Sequence, residues 1–263
     1  VKHITSRDNA QYKDIAKLAT NSQARRKAGR SLLDGVHLCE TWLALRGHPE
    51  QAIVAEGALR NPEVAAIIDR LQAEHAHILC LSDQLYHAVS QVEHGVGLMF
   101  LIETPHKPVP QSLSVNAVLL DNVQDPGNVG SILRSAAAAG VKEVYCAPGT
   151  AFCWSPKVLR AAMGAHFVLD IHENVDLAQL VQGARIATLA TSGYAAEPLY
   201  QIDLKCPVAW IFGHEGQGVS DALLSGASHR VMVPHLGQVE SLNVAACAAV
   251  CFFEQVRQNL SNS

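Results

Sequence analysis

The sequence predicts an α/β protein of two domains, the larger built on a mostly parallel sheet. Three observations carry that prediction. Short apolar runs alternate with helical stretches along the chain, the pattern of strands connected through helices. Apolar residues make up 49% and charged residues 17%, which supplies a sizeable core and argues against disorder. The 263 residues exceed one typical domain of roughly 100 to 150 residues.

In chain order, helical patterning near 8–20 and 35–46 precedes a strand at 51–55, a helix at 62–74, a strand at 78–81, a helix at 82–89 and a strand at 97–102. This alternation reads as a small α/β sandwich, domain 1–102. The stretch ETPHKPVPQSLS breaks the apolar pattern with three prolines and three Ser/Thr, so 103–115 reads as a linker. Domain 116–263 follows, with apolar strands at 117–120, 143–146, 186–190, 208–212 and 229–233 and a long last helix at 242–260. In such sheets ligands collect at the carboxyl ends of the strands.

Charge is unevenly distributed. The chain carries a net charge of -4, yet residues 1–30 hold eight Lys/Arg against two acids. Either this is a solvated basic helix, or one end of the molecule docks a polyanion. The seven cysteines show no paired spacing and read as reduced, buried thiols. His214-Glu215 lacks the second histidine of a zinc-protease motif, because Gly218 stands in its place, and no metal is expected. No stretch approaches the ~20 apolar residues of a membrane span, and the polar start VKHITSRDNAQYK has no apolar export segment. A cytoplasmic location is expected.

Three motifs carry the chemistry. In DNVQDPGNVGSILRSAAAAG, residues 121–140, Pro126 and Gly127 read as a turn and Asn128 as the helix N-cap. Val129, Ile132, Leu133 and Ala136 form the core-facing stripe, and Arg134 lies off it, about 9 Å along the axis from Asn128. In IFGHEGQGVS, 211–220, Gly213, Gly216 and Gly218 surround Glu215 in a spacing that is neither the dinucleotide fingerprint nor the phosphate loop. Those glycines let backbone approach a ligand, or simply make a turn. In VMVPHLGQVESLNVAACAAV, 231–250, Ser241 caps the last helix or, with Asn243, offers hydroxyl and amide groups to a cleft.

Together and in this order, the three stretches resemble the signature motifs of the SpoU (TrmH-type) RNA ribose methyltransferases of the SPOUT superfamily. The likeness covers about 117–258 and places Asn128, Arg134, Glu215, Ser241 and Asn243 at catalytic positions. Upstream, NAQYKDIAKLATNSQARRKAGRSLLDGVHLCETWL is similar to the substrate-binding domain of many members, itself ribosomal-protein-like, with Arg25, Arg26 and Arg30 facing RNA. The resemblance implies a deep trefoil knot in the catalytic domain and a homodimer formed through that domain. It also implies S-adenosyl-L-methionine as cofactor, held by Thr191, Ser192, Gly193, Phe212, Gly213, Val233, Pro234 and Leu242.

The implied reaction is methyl transfer to a ribose 2'-hydroxyl of structured RNA, with ribosomal RNA favoured over transfer RNA. Arg134 is the implied activator. A guanidinium with a pKa above ~12 is a poor base, so it is expected to bind the adjacent phosphate and hydrogen-bond the nucleophile. The alternatives are a transfer-RNA ribose methyltransferase, a base-modifying enzyme of the same superfamily, and a non-catalytic RNA-binding or ribosome-assembly protein on the same scaffold.

Overall fold

Asparagines open three helices of the amino-terminal region. Asn9 Oδ1 accepts the backbone N–H groups of Gln11 and Tyr12 and starts α1 (Ala10–Thr20), following β1 (Lys2–Ile4). Asn21 closes α1 and caps α2 (Ser22–Ala28), which Gly29 ends in the left-handed conformation at φ 61. Then come β2 (Arg30–Asp34), α3 (Val36–Leu45), β3 (Gln51–Ala55), α4 (Pro62–Ala73, capped by Asn61), β4 (Ile78–Leu81), α5 (Asp83–Val89) and β5 (Leu98–Glu103). The computed structural model describes residues 1–92, 95–238 and 241–260.

Compact packing divides the chain into two units, one of 1–105 with 154–159 and one of 106–153 with 160–263. In the first, five strands run in the order β1-β4-β3-β5-β2, parallel through β1, β4 and β3 and antiparallel at β5 and β2. Alternate residues of the strands, among them Ile53, Leu79 and Leu101, pack with Tyr12, Ile15 and Leu18 of α1 and Leu85 and Tyr86 of α5.

Within the basic segment Arg25, expected to face RNA, is buried instead. Arg25 is 5% exposed and its guanidinium donates to the carbonyls of Leu18 and Ala19, so it satisfies the last turn of α1 from within. Burial lowers its pKa from the usual arginine value, and neighbouring Arg26 lowers it further. Arg30 pairs with Glu50, and with Asp14 at 3.6 Å. Arg26 and Lys27 are the exposed cations of α2.

The second unit contains β6 (Ala117–Asp121), α6 (Pro126–Ala138) and β7 (Glu143–Cys146). After α7 (Pro156–Ala162) come β8 (Asp170–Glu173), α8 (Leu177–Gln182), β9 (Ala187–Thr191), β10 (Glu197–Pro198), β11 (Val208–Gly213), α9 (Asp221–Gly226), β12 (His229–Met232) and α10 (Val244–Leu260). Seven strands run in the order β10-β12-β9-β11-β6-β7-β8, and every pairing is parallel. From β6 the chain steps outward to β7 and β8, then crosses to β9 on the far side, and β11 fills the place between. This reversal beside β6 is where an open parallel sheet leaves a crevice.

Leu119, Ala209 and Ile211 face α8 and α9 through Leu180, Val181 and Leu223. On the opposite face Phe212 meets Phe252 of α10 edge to face at 5.6 Å. Of the cysteines, Cys39, Cys80, Cys146, Cys153 and Cys251 are buried, whereas Cys206 is exposed. Among the described residues no helix is long and apolar enough to cross a membrane.

A buried amide fastens α10. Gln255 accepts the indole N–H of Trp210 at 3.2 Å and donates to Asn116 Oδ1 at 2.9 Å, which also accepts the backbone N–H of Val208 at the start of β11. Removing the amide leaves a buried indole donor unsatisfied. Gln255→Ala is expected to cost about 1–3 kcal/mol, read as a lower midpoint of urea unfolding.

Candidate active site

Asp125 and Pro126 set the first loop. Pro126 occupies the first helical position of α6, where its missing N–H is no loss, and Asp125 Oδ1 accepts the N–H of Asn128 at 2.8 Å. Asn128 is therefore not the cap and Pro126-Gly127 is not a turn. Both belong to the first turn of the helix, and the sequence signal was the Asp-Pro pair, the usual cap and first-position combination. With the cap supplied by Asp125, the Asn128 side chain is released for other work.

That work lies on the next loop. Asn128 Nδ2 donates to Glu215 Oε1 at 3.0 Å, and the backbone N–H groups of Asp125 and Gln124 reach the same carboxylate at 3.1 and 3.3 Å. Burial pushes the Glu215 carboxyl up, but the Asn128 amide, its own N–H and those of Asp125 and Gln124 outweigh this and hold it below the usual glutamate value. Asn243 Nδ2 then donates to Asn128 Oδ1 at 2.9 Å. The three motifs are thus joined by side chains 87 and 115 residues apart.

Asn243 also opens α10. Its Oδ1 accepts the N–H groups of Ala245 and Ala246 at 2.9 and 3.2 Å, and its carbonyl accepts that of Cys247. The capping expected of Ser241 is performed two residues later, and Ser241 stays exposed on the approach to the helix.

The glycine loop is shaped by its own backbone. His214 and Gly218 exchange N–H···O bonds of 3.0 and 2.8 Å, and His214 Nδ1 lies 2.9 Å from the Gly216 N–H. A Cβ at Gly213 would fall 2.1 Å from the Gly218 carbonyl carbon, so glycine is compulsory there for a close approach within the chain. Asp121, at the end of β6, secures the far side of the loop by accepting the Ser220 N–H at 2.7 Å.

The remaining residues collect at one sheet edge. Gly213 lies level with Asp121, Ile211 with Ala190, and Thr191 with Val231, so the carboxyl ends of β6, β11, β9 and β12 are consecutive neighbours. Thr191 donates its hydroxyl to the Ile211 carbonyl at 3.1 Å, while Ser192 N–H reaches the Val231 carbonyl. The Phe212 side chain is core, leaving only backbone to the crevice, and Gly193 has open space where a Cβ would stand. Val233 is buried, Pro234 half-buried and Leu242 exposed. Arg134 is exposed on α6, and among the described residues nothing pairs with its guanidinium. Asp125, Gln124 and Asp121 are the site residues that the motif reading missed.

Fold and site together define a parallel α/β domain with a polar, hydrogen-bonded cluster of loops at the strand reversal. The chain belongs to the SpoU rRNA Methylase family, whose pattern matches residues 116–253. It is 31% identical to the 23S rRNA (guanosine(2553)-2'-O)-methyltransferase RlmP of Bacillus subtilis, over 96% of this chain and 98% of that one. An uncharacterized tRNA/rRNA methyltransferase of Synechocystis is 33% identical over 100% of this chain and 96% of its own. A crystal structure of an RNA 2'-O ribose methyltransferase superposes with a TM-score of 0.77 at 31% identity, covering 98% and 99% of the two chains. An rRNA methyltransferase from Sinorhizobium meliloti, crystallised with AdoMet bound, gives 0.84 at 25% identity, covering 97% of each.

The lowered Glu215 pKa has a definite sign. The folded value lies below the unfolded one, so the contribution to stability is complete above the unfolded value of about 4.3 and disappears as pH falls through the folded value. Glu215→Gln should flatten the acid limb of a plot of urea midpoint against pH below about pH 4.3. An unchanged limb would mean that the carboxylate is not held as described.

Proposed function

We propose that this chain transfers a methyl group from S-adenosyl-L-methionine to a ribose 2'-hydroxyl of RNA, with ribosomal RNA as the substrate class. The observation that carries the reading is the fixed chain Glu215–Asn128–Asn243, with Arg134 exposed on the same helix as Asn128 and unpaired among the described residues. The relatives that match end to end support the same chemistry. A cytoplasmic location accords with an RNA substrate.

The residues at the strand ends fit the cofactor. Open space at Gly193, just past the end of β9, suits a ligand gripped through main-chain atoms, with Thr191, Ser192, Phe212, Gly213, Val233, Pro234 and Leu242 around it. When bound, the cofactor supplies an electrophilic methyl carried on a sulfonium. The protein must then bring the 2' oxygen into line at about 3 Å and ease the loss of its proton. Arg134 is always charged, so it binds the adjacent phosphate and donates a hydrogen bond to the 2' oxygen, stabilising developing alkoxide character. Glu215, Asn128 and Asn243 hold the loops that frame this approach, with Ser241 beside them.

The same reading gives 1–102 the role of RNA-binding domain, with Arg26 the exposed one of Arg25, Arg26 and Arg30, and 103–115 as linker. It includes the trefoil knot, supported by the return of α10 from beyond β12 to pack on α6 and β11. It includes a homodimer through the catalytic domain, supported by the exposed Phe253 and Leu260 on α10.

Purified protein with tritiated cofactor should label ribosomal RNA, and the label should appear in nuclease-resistant dinucleotides. Label in a base, or none, rejects the reading. Arg134→Lys should keep RNA affinity while single-turnover methylation drops on the order of a hundredfold, the loss typical of a misplaced oxyanion donor. An unchanged rate would remove Arg134 from the mechanism.

A further inference from the structure

The loop after β9 carries a side chain that the fold does not use. Tyr194 is 101% exposed, more than any other aromatic residue among those described. It sits in the sequence SGYAAE, between glycine and alanines, so no neighbouring side chain is large enough to cover its ring. The loop beneath it is ordered by hydrogen bonds. Tyr194 N–H donates to Ser192 Oγ and Ala195 N–H to the Ser192 carbonyl, each at 3.3 Å, and Ser192 N–H donates to the Val231 carbonyl at 2.9 Å. The ring therefore projects from a built turn three residues past the end of a strand that borders the candidate crevice.

A lone ring with both faces open is poorly suited to the core of a protein interface, which needs contiguous apolar area. It is well suited to a planar partner. Every nucleobase has a π-face, and stacking on an aromatic side chain is the usual way that proteins hold unpaired bases. We propose that Tyr194 stacks on an unpaired nucleobase of the RNA substrate, next to the nucleotide whose ribose enters the site. The proposal rests on the RNA-methyltransferase reading, and it adds a base contact to a site whose other groups address ribose, phosphate and cofactor.

The test compares wild-type protein, Tyr194→Ala and Tyr194→Phe, using ribosomal RNA as substrate and a fluorescently labelled single-stranded fragment of it as binding probe. Tyr194→Ala should raise both KM for RNA and the Kd of the probe by about fivefold or more, with kcat at saturating RNA largely kept. Tyr194→Phe should restore both, since the ring and not the hydroxyl makes the stack. The weakening should be equal at low and high salt, because stacking releases no counterions. Unchanged RNA affinity in Tyr194→Ala would overturn the proposal. So would a loss of S-adenosyl-L-methionine affinity in its place, or a change in sedimentation mass, which would assign the ring to the cofactor or to a second subunit. Wild-type protein that binds the probe but transfers no methyl group would refute the enzymatic reading alone, and the binding comparison would still decide the role of Tyr194.

Discussion

The site depends on one directional run of hydrogen bonds. Asn243 Oδ1 accepts two backbone N–H groups at the start of α10, so its Nδ2 must be a donor. Asn128 Oδ1 receives that donor, which leaves Asn128 Nδ2 to point at Glu215. Glu215 then meets N–H donors only and is held as an acceptor, which is why its ionised form is favoured. The orientation of two amides and the charge of one carboxylate are thus decided by a helix terminus 28 residues after the carboxylate in sequence.

This run works because the sheet first brings its members within reach. In an all-parallel sheet the carboxyl ends of every strand lie on one edge, and the side-step of β11 between β6 and β9 sets the first two motifs on adjacent strands. Gly213 and Asp121 share a register position, so the loops that follow them leave the sheet at the same level. The close contact of Gly213 with Gly218 folds the second loop back on itself and presents Glu215 to the start of α6. Gln255, at the other end of α10, fixes the helix against Trp210 of that same central strand.

Much of this was legible from sequence because it follows from periodicity. The apolar stripe of Val129, Ile132, Leu133 and Ala136 is the buried face of α6, and the buried strands of the parallel sheet, such as VAWIFG, stand out as apolar runs. The segments that escaped notice lack that signal. β8 reads DIHE and β2 follows a run of arginines, while α2 is seven largely polar residues. The cap of α6 falls on Asp125 and not Asn128, and that of α10 on Asn243 where Ser241 was also open, since each start offers several capping residues in succession and only tertiary contacts choose among them. The burial of Arg25 had no signal at all: nothing local distinguishes an arginine that closes a helix from one that faces solvent.

Asn128 and Arg134 lie on one helix yet are treated in opposite ways. The first turn of α6 is tied by Asp125, Glu215 and Asn243, and its buried stripe locks the rest against the sheet, so the backbone that carries Arg134 has a fixed position relative to the crevice. The guanidinium itself is left without a protein partner among the described residues. Holding it in place would demand a carboxylate, and that pairing would compete with the phosphate proposed as its ligand. Leaving it open costs up to about 2 kcal/mol of rotamer entropy when an anion does order it, and it spares that anion from displacing a carboxylate already in place. A rigid amide and carboxylate frame with one unsatisfied cation is therefore the arrangement expected of a site whose last component is the sugar-phosphate backbone of its substrate.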